Sequence, residues 1–389
     1  MIIRLITMTI LVILQLVMLP ITNFAQGVSG QLAASARSAI LIDANSGKIL
    51  YEKNSHEKLA PASMTKIMTL LLIMESIEKK QLKYTDLVQV SEKAASMGGT
   101  QIFLEPGERM NVRDLVKGIA IASANDATVA MAERIAGSEQ RFIALMNQRA
   151  RQLGCQDTHF VNTNGLPENG HLSSSYDMAL IARELLTHPA ITQYTGIYED
   201  HLRKGSKKPF WLVNTNKLIK FYPNADGLKT GFTQEAKYCL TATAKRGQFR
   251  PIAVVMGEPD IKTRNQEVAG MLDHAFATYD SVLLFRKGQK IGIKELQKAQ
   301  VRKLTLYADR DISILVRKGH SPKEFKYSIK WLKEQIPIRK NELVGKLVVY
   351  HQGKQVDQVD LRSHINIEEA GLWDLLKRAC NDLFLQKKD

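Results

Sequence analysis

Three short motifs follow one another along this chain, and each contains residues suited to acyl transfer on a serine. They are Ser63-Met64-Thr65-Lys66, Ser123-Ala124-Asn125 and Lys229-Thr230-Gly231. A serine hydroxyl is a weak nucleophile until a base removes its proton, and residues three apart on a helix lie on the same face. The first motif therefore predicts Ser63 as a nucleophile and Lys66 as its general base.

The S-x-x-K pattern occurs twice, so its context decides between the copies. Ser55-His56-Glu57-Lys58 lies in a polar segment, whereas Ser63 follows Pro61 and opens the apolar stretch 64–77. Serine is a favoured N-cap, so the second copy marks the start of a helix. The alternative is that Ser63 is only a cap and Lys66 a solvated lysine, but three motifs in this order favour catalysis.

A lysine can accept a proton only when its amine is neutral, and an ordinary lysine has a pKa of about 10.4. The side chains that follow Lys66 are mostly apolar and would remove water from that amine. A second cation nearby lowers the pKa further, which indicates an electrostatic role for Lys229.

The other two motifs suit substrate handling. Ser123 fits a proton relay, and Asn125 offers an amide for a substrate backbone carbonyl; a helix-turn capping pair is the alternative. Lys229-Thr230-Gly231 at a strand edge could align with an extended peptide, with Gly231 permitting close approach. The alternative for this motif is a charged strand end.

Composition bounds the class of protein. With 389 residues and 44% hydrophobic content the chain predicts two or three packed domains. Residues 1–25 carry one early charge, Arg4, and then an apolar run that ends near Ala25. This pattern predicts a secretory signal peptide cleaved after Ala25, with a retained membrane anchor as the alternative.

Charge and cysteine content exclude several functions. Lys and Arg number 54 against 39 Asp and Glu, a net charge of +15, without the interleaved aromatic residues of a base-stacking surface. We therefore expect no nucleic acid partner and an anionic cell envelope instead. The three cysteines form no disulfide framework, and no His/Cys cluster has metal spacing, so neither a metal nor a cofactor is expected.

Hydrophobic periodicity predicts an α+β domain followed by an all-β domain. In the first, a helical cluster packs beside one antiparallel sheet; the second has strands of period two. The expected helices are 112–121, 126–135, 140–153, 176–186 and 265–282, and the expected strands are 39–42, 48–51, 228–233, 238–244, 251–256, 301–306, 325–331 and 345–350.

The last segment predicts an amphipathic helix. Leu372, Trp373, Leu376, Leu383 and Phe384 share one face, and charges of both signs cover the other. Such a helix lies in a membrane surface or docks against the all-β domain. The expected organisation is a signal peptide at 1–25, a serine peptidase domain at 36–283, an all-β domain at 290–364 and a membrane-associating helix at 367–386.

From residue 36 onward the chain resembles serine-type D-alanyl-D-alanine carboxypeptidases, the low-molecular-weight penicillin-binding proteins. Besides the three motifs, the segments 98–101, 106–108, 162–166 and 226–228 carry the resemblance. It implies a β-lactamase/transpeptidase-like fold. One departure is Ala236-Lys237-Tyr238, where many relatives have Ala-Gly-Tyr, and Lys237 could alter substrate access.

The resemblance also implies roles for individual residues. Ser63 would be acylated, Lys66 would be the base and Ser123 the proton shuttle, and the backbone N–H groups of Ser63 and Phe232 would form an oxyanion hole. Asn125, Lys229, Thr230 and Gly231 would bind substrate. Arg250 would receive the terminal carboxylate, with a surface arginine as the alternative.

The function expected is removal of the terminal D-alanine from the peptidoglycan stem pentapeptide through an acyl-enzyme, with β-lactams as covalent inhibitors. The enzyme would act at the outer face of the cytoplasmic membrane, held by its C-terminal helix, or be secreted. A β-lactamase is the rival hydrolase, with Glu168 the single acid in the 162–171 loop. The alternative from another class is a non-catalytic scaffold that binds the wall.

Overall fold

The computed structural model describes residues 32–206, 209–308, 311–319, 322–333 and 335–385, so the predicted signal peptide lies outside the described residues. The strands in chain order are β1 (Ser38–Asp43), β2 (Ile49–Lys53), β3 (Leu87–Gln89), β4 (Arg109–Asn111), β5 (Glu199–Leu202), β6 (Phe210–Val213), β7 (Ala225–Thr233), β8 (Lys237–Ala244), β9 (Pro251–Glu258), β10 (Tyr279–Phe285), β11 (Lys290–Glu295), β12 (Lys303–Tyr307), β13 (Ile312–Arg317), β14 (Phe325–Trp331), β15 (Leu343–His351) and β16 (Lys354–Arg362).

The α-helices are interspersed with these strands and include several single turns. They are α1 (Lys66–Glu78), α2 (Glu92–Ala95), α3 (Val112–Lys117), α4 (Asn125–Ala136), α5 (Glu139–Gln152), α6 (Ser175–Leu185), α7 (Thr192–Thr195), α8 (Leu218–Phe221), α9 (Ile261–Thr278) and α10 (Leu372–Leu385).

An antiparallel five-stranded sheet organises the first domain, in the order β2-β1-β9-β8-β7. Strands β1 and β9 are buried along almost their whole length because helices cover both faces. Helices α1 and α6 pack on one face and α9 on the other. Strand β7 lies at the open edge, so its main chain is available to an extended ligand.

Helix α1 is the central helix of the domain. Ile67, Met68, Leu71 and Ile73 are fully buried although they point in different directions, because sheet and helices surround α1. Burial on all sides also takes Lys66, Thr69 and Ser76 of α1 out of water.

The second domain is all-β, as expected. Its three small sheets pair β10 with β13, β11 with β12, and β14 with β15 and β16, around a separate apolar core. The helix expected at 265–282 is wrong at its C-terminal end: α9 ends at Thr278, and 279–285 forms β10. The reason is tertiary, since this apolar segment pairs with β13 within the second domain.

Candidate active site

Ser63 lies in a single 3-10 turn, Ala62–Thr65, that leads directly into α1. The alternative that Ser63 is only a helix cap is not supported, because α1 begins at Lys66 with Thr65 at its N-cap. The turn nevertheless brings the two side chains together, and Lys66 Nζ lies 3.0 Å from Ser63 Oγ. This contact is what a serine nucleophile and its base require.

The other S-x-x-K copy has a different environment. Ser55 Oγ donates a hydrogen bond to Glu52 at 2.7 Å, and Lys58 is exposed beside Asp157 at 3.9 Å. Its lysine is thus solvated and paired with an acid, unlike the fully buried Lys66.

Burial gives Lys66 the properties of a base. The side chain is 0% exposed, and this desolvation lowers its pKa well below the ordinary value. The positive charge of Lys229 lowers the pKa further, while the carboxylate of Asp126 opposes the shift. A neutral Lys66 is therefore present at a lower pH than for a solvated lysine.

The loop at 162–166 completes the surroundings of Lys66. Lys66 Nζ donates to the carbonyl oxygen of Asn164 at 2.6 Å, and Thr69 Oγ1 on α1 donates to the carbonyl of Thr163 at 2.8 Å. Within the loop, Asn162 Oδ1 accepts the N–H of Gly165 at 2.7 Å. The amine is thus oriented from two sides, by Ser63 and by the loop.

Gly165 presses against the backbone of the nucleophile. Its φ is +86°, and a Cβ at this position would lie 1.8 Å from the carbonyl oxygen of Ala62 and 2.9 Å from the nitrogen of Ser63. Because no side chain can be accommodated there, the segment noted in the sequence as Asn162–Leu166 requires glycine at this point.

The second motif forms the connection between two helical segments, as expected. Ser123 has φ +67° and ends a π-helical turn, Gly118–Ala122, and α4 begins at Asn125. Ser123 is 4% exposed. Asn125 Nδ2 donates to the carbonyl of Gly98 at 2.7 Å, and its Oδ1 is buried with no hydrogen-bond partner among the described residues.

The third motif lies on the edge strand β7 against the Ser63 turn. Lys229 is buried, and its pKa is lowered to about 7 by desolvation and then by the charge of Arg264. Thr230 Oγ1 donates to Thr215 Oγ1 at 2.7 Å. A Cβ on Gly231 would lie 2.8 Å from the carbonyl of Pro61, so this glycine lets the strand approach the Ser63 turn.

Phe232 and Lys237 lie at the end of this strand pair. Phe232 is half exposed and packs on Tyr238 with ring centroids 4.4 Å apart. Lys237 is exposed and has φ +55°, a left-handed conformation that favours glycine. Lys237 therefore stands at a position whose backbone favours glycine, and its side chain is exposed to solvent.

Arg250 is engaged elsewhere. Its guanidinium makes two hydrogen bonds to the carboxylate of Asp226, at 2.6 and 2.7 Å, and a third contact to Thr243. A substrate carboxylate at Arg250 would therefore share the guanidinium with Asp226. Arg264 on α9 is 4% exposed and acts electrostatically on Lys229.

The first and third sequence motifs thus meet at one site. Ser63 and Lys66 are in contact, Lys229 acts on Lys66, and Gly231 packs on the Ser63 turn. Sequence reasoning missed Arg264, Thr215 and His171, which belong to none of the three motifs. Burial was the missing signal, and it depends on long-range packing.

Comparison with known proteins decides the family. The model of the D-alanyl-D-alanine carboxypeptidase family matches residues 25–260, and that of the penicillin-binding protein 5 C-terminal domain matches residues 279–369. The chain belongs to the D-alanyl-D-alanine carboxypeptidase family. The resemblance, the enzyme class and the fold expected from the sequence are confirmed.

Relatives of this carboxypeptidase family match almost the whole chain. D-alanyl-D-alanine carboxypeptidase DacF of Bacillus subtilis (strain 168) is 51% identical over 91% of each chain. DacC of Escherichia coli (strain K12) is 34% identical over 88% of each chain. The crystal structure of penicillin binding protein 5 from Haemophilus influenzae superposes with a TM-score of 0.72 at 30% identity, covering 87% of this chain and 98% of that one.

A further structural relative carries an antibiotic. Penicillin-binding protein D2 from Listeria monocytogenes, solved in its ampicillin-bound form, superposes with a TM-score of 0.57 at 30% identity. It covers 63% of this chain and 99% of its own, so the match corresponds in extent to the first domain of this carboxypeptidase.

Proposed function

We propose that this protein is exported and removes the terminal D-alanine from peptidoglycan stem pentapeptides through an acyl-enzyme on Ser63. The observation that carries the proposal is the fully buried Lys66, whose lowered pKa and 3.0 Å contact with Ser63 Oγ suit a neutral base. The family supports the substrate class.

Acylation begins when Lys66 Nζ takes the proton of Ser63 and Ser63 Oγ attacks the carbonyl carbon of the penultimate D-alanine. The backbone N–H groups of Ser63 and Phe232 are the proposed donors to the oxyanion. Ser123 relays the proton from Lys66 to the departing amine, which leaves as D-alanine and returns Lys66 to its neutral form. Water then attacks the ester, with Lys66 again accepting a proton, and Ser63 is regenerated.

β-Lactams would follow the same first step. Ser63 attacks the lactam carbonyl, the ring C–N bond breaks, and the acyl group remains attached to Ser63 as an ester. The ampicillin-bound relative supports this inhibitor class. The rival, a β-lactamase, would need fast deacylation of this ester. Glu168, the acid in the 162–171 loop on which that alternative depends, accepts a hydrogen bond from Asn162 at 3.1 Å.

The substrate carboxylate needs a cation that is free to receive it. Both terminal nitrogens of Arg250 bond to Asp226, whereas the pKa of Lys229 is lowered by desolvation and then by repulsion from the charge of Arg264. An anion beside them would relieve that repulsion. We therefore favour Lys229 with Arg264 over Arg250 as the carboxylate site.

The C-terminal helix supports attachment to a membrane surface. Leu372 and Trp373 of α10 are 77% and 76% exposed. On the same helix, Arg378 Nη2 donates a hydrogen bond to the carbonyl oxygen of Gln300. The helix thus contacts the all-β domain through a polar bond and leaves apolar side chains in solvent. None of the helices in the described part is long and apolar enough to cross a membrane.

The test is labelling with a fluorescent penicillin followed by measurement of D-alanine release from a pentapeptide. The wild-type protein should do both, and Ser63→Ala should do neither, because no second hydroxyl is placed to form the ester. Ser55→Ala is the matched control and should retain both activities. Labelling without D-alanine release would favour the scaffold, and rapid loss of the label with penicillin turnover would favour a β-lactamase.

A further inference from the structure

A buried histidine links the two segments that hold the nucleophile and the base. His171 is 3% exposed and follows the 162–166 loop in sequence. Its Nε2 lies 2.8 Å from Thr65 Oγ1, and its Nδ1 accepts the backbone N–H of Val161 at 3.0 Å. The ring therefore has a hydrogen-bond partner on each side, one per segment.

The partners define which nitrogen carries the proton. The N–H of Val161 can only donate, so Nδ1 is the acceptor and Nε2 carries the hydrogen. Nε2–H then donates to Thr65 Oγ1, and Thr65 Oγ1 in turn donates to the carbonyl of Ala62 at 2.8 Å. The result is a directed chain of three hydrogen bonds from Val161 to Ala62.

Both ends of this chain lie next to the reacting groups. Ala62 and Thr65 flank Ser63 in the 3-10 turn, and Ala62 has φ +47°, which an alanine rarely adopts. At the other end, the segment that begins at Val161 leads to Asn164, whose carbonyl holds Lys66. The imidazole thus connects a strained turn to the loop that orients the base.

We propose that His171 is a positioning residue, whose neutral Nε2–H imidazole holds the Thr65 hydroxyl and so keeps Ser63 within hydrogen-bond distance of Lys66. This inference rests on the proposed acyl-enzyme function of the site. His171 makes none of the contacts to Ser63 Oγ or Lys66 Nζ that define the reacting pair; it acts through Thr65.

Burial is the main reason why this histidine is neutral. Burial, and then the charges of His159 and of Lys66, lower the pKa of His171 to about 4. A protonated ring would direct Nδ1–H at the N–H of Val161, two donors facing each other. The chain of hydrogen bonds therefore stays intact at neutral and alkaline pH.

The experiment measures the rate constant for acylation of the full-length protein by fluorescent penicillin, together with its end point. The end point counts folded sites, whereas the rate reports their geometry. Thr65→Val removes the hydroxyl at nearly constant shape, and His171→Asn keeps an acceptor near Nδ1 but loses the Nε2 donor. Each should slow acylation per folded site about 10- to 100-fold, as expected for a misplaced nucleophile.

Two comparisons separate positioning from general damage. The double variant should be no slower than either single variant, because both break the same chain. Thr65→Ser keeps the hydroxyl and should restore most of the rate. The exposed His159, which bonds to the carbonyl of Gly170, provides His159→Asn as the control, with an unchanged rate. Michaelis constants for pentapeptide should stay within about twofold while kcat falls.

The result that overturns the inference is an unchanged acylation rate per folded site in His171→Asn or Thr65→Val, or full additivity in the double variant. Failure of the wild-type protein to form an ester on Ser63 is a different outcome: it would refute the proposed function, and the positioning role with it. Normal labelling of the wild-type protein with unaffected variants would refute the positioning role alone.

Discussion

At the scale of single residues, the site depends on cations that have lost their water. Lys66 and Lys229 are both buried, and burial is the largest cause of the lowered pKa of each. Holding such groups away from water opposes folding. The same desolvation makes Lys66 a base and leaves Lys229 sensitive to a negatively charged ligand.

Lys66→Arg should lower the acylation rate about 10²- to 10⁴-fold, the usual contribution of a general base, because guanidinium stays protonated. In the wild-type protein the rate should rise with pH, since a lysine with a lowered pKa becomes neutral as pH increases and reaches that state well below pH 10.5. Stopped-flow measurements with a fluorescent penicillin provide the profile. The exposed Lys83 supplies the control Lys83→Arg. A pH-independent rate would contradict the role of Lys66 as base.

The choice between the two arginines is a second prediction at this scale. Arg264→Gln should lower kcat/KM for peptides with a free terminal carboxylate about 10- to 100-fold, the value of a charged hydrogen bond, and should affect the terminal amide much less. Arg250→Gln breaks the pair with Asp226 and should affect both substrates equally. The measurement is the ratio of kcat/KM for the two substrates in each variant. A selective loss in Arg250→Gln instead would restore the interpretation made from the sequence.

At the scale of elements, three segments converge where the nucleophile turn meets α1. The 162–166 loop approaches through Gly165, β7 approaches through Gly231, and α1 continues the turn. This close approach of backbone segments explains why the site contains glycine at two positions, neither of which contributes a side chain to the chemistry.

Gly165→Ala should abolish labelling and destabilise the protein by about 2–5 kcal/mol, because it combines a left-handed φ with a clash against the turn. Gly170→Ala is the matched control. Gly170 has φ +80° but open space around its Cβ position, so it should cost about 1–2 kcal/mol and leave labelling intact. Thermal unfolding and labelling stoichiometry give both quantities. Equal effects of the two variants would mean that the contact with Ala62 is unimportant.

At the scale of the whole molecule, a rigid α+β domain is followed by a small all-β domain with an amphipathic helix at its end. The domains have separate apolar cores, and β10 starts directly where α9 ends. Arg378 bonds the terminal helix to the all-β domain, while Leu372, Trp373 and Leu376 of this helix remain exposed. The helix therefore leaves an apolar surface exposed to solvent.

The triple variant Leu372→Ser, Trp373→Ser, Leu376→Ser should lose co-sedimentation with anionic phospholipid vesicles and keep its thermal unfolding temperature and its acylation rate. The three side chains are 77%, 76% and 48% exposed, so removing them costs membrane contact and little packing. Leu145→Ser, on α5, removes another exposed leucine and should leave vesicle binding unchanged. A lower unfolding temperature with unchanged vesicle binding would show that the helix is docked.

Much of this protein was determined by local sequence. The motifs around Ser63, Ser123 and Lys229 identify the chemistry because each role requires a particular side chain at a particular spacing. Periodicity located most helices and strands, since amphipathic faces repeat with the geometry of the element itself. These signals need no knowledge of distant contacts.

Tertiary structure decided what those signals could not. Residues 279–285 form a strand because β13 lies beside them, and Arg250 forms an ion pair because the fold places Asp226 within hydrogen-bond distance. Arg264 and His171 became part of the site only through burial beside Lys229 and Thr65. Each of these depends on desolvation or pairing between residues far apart in the chain, and such contacts exist only after the chain has folded.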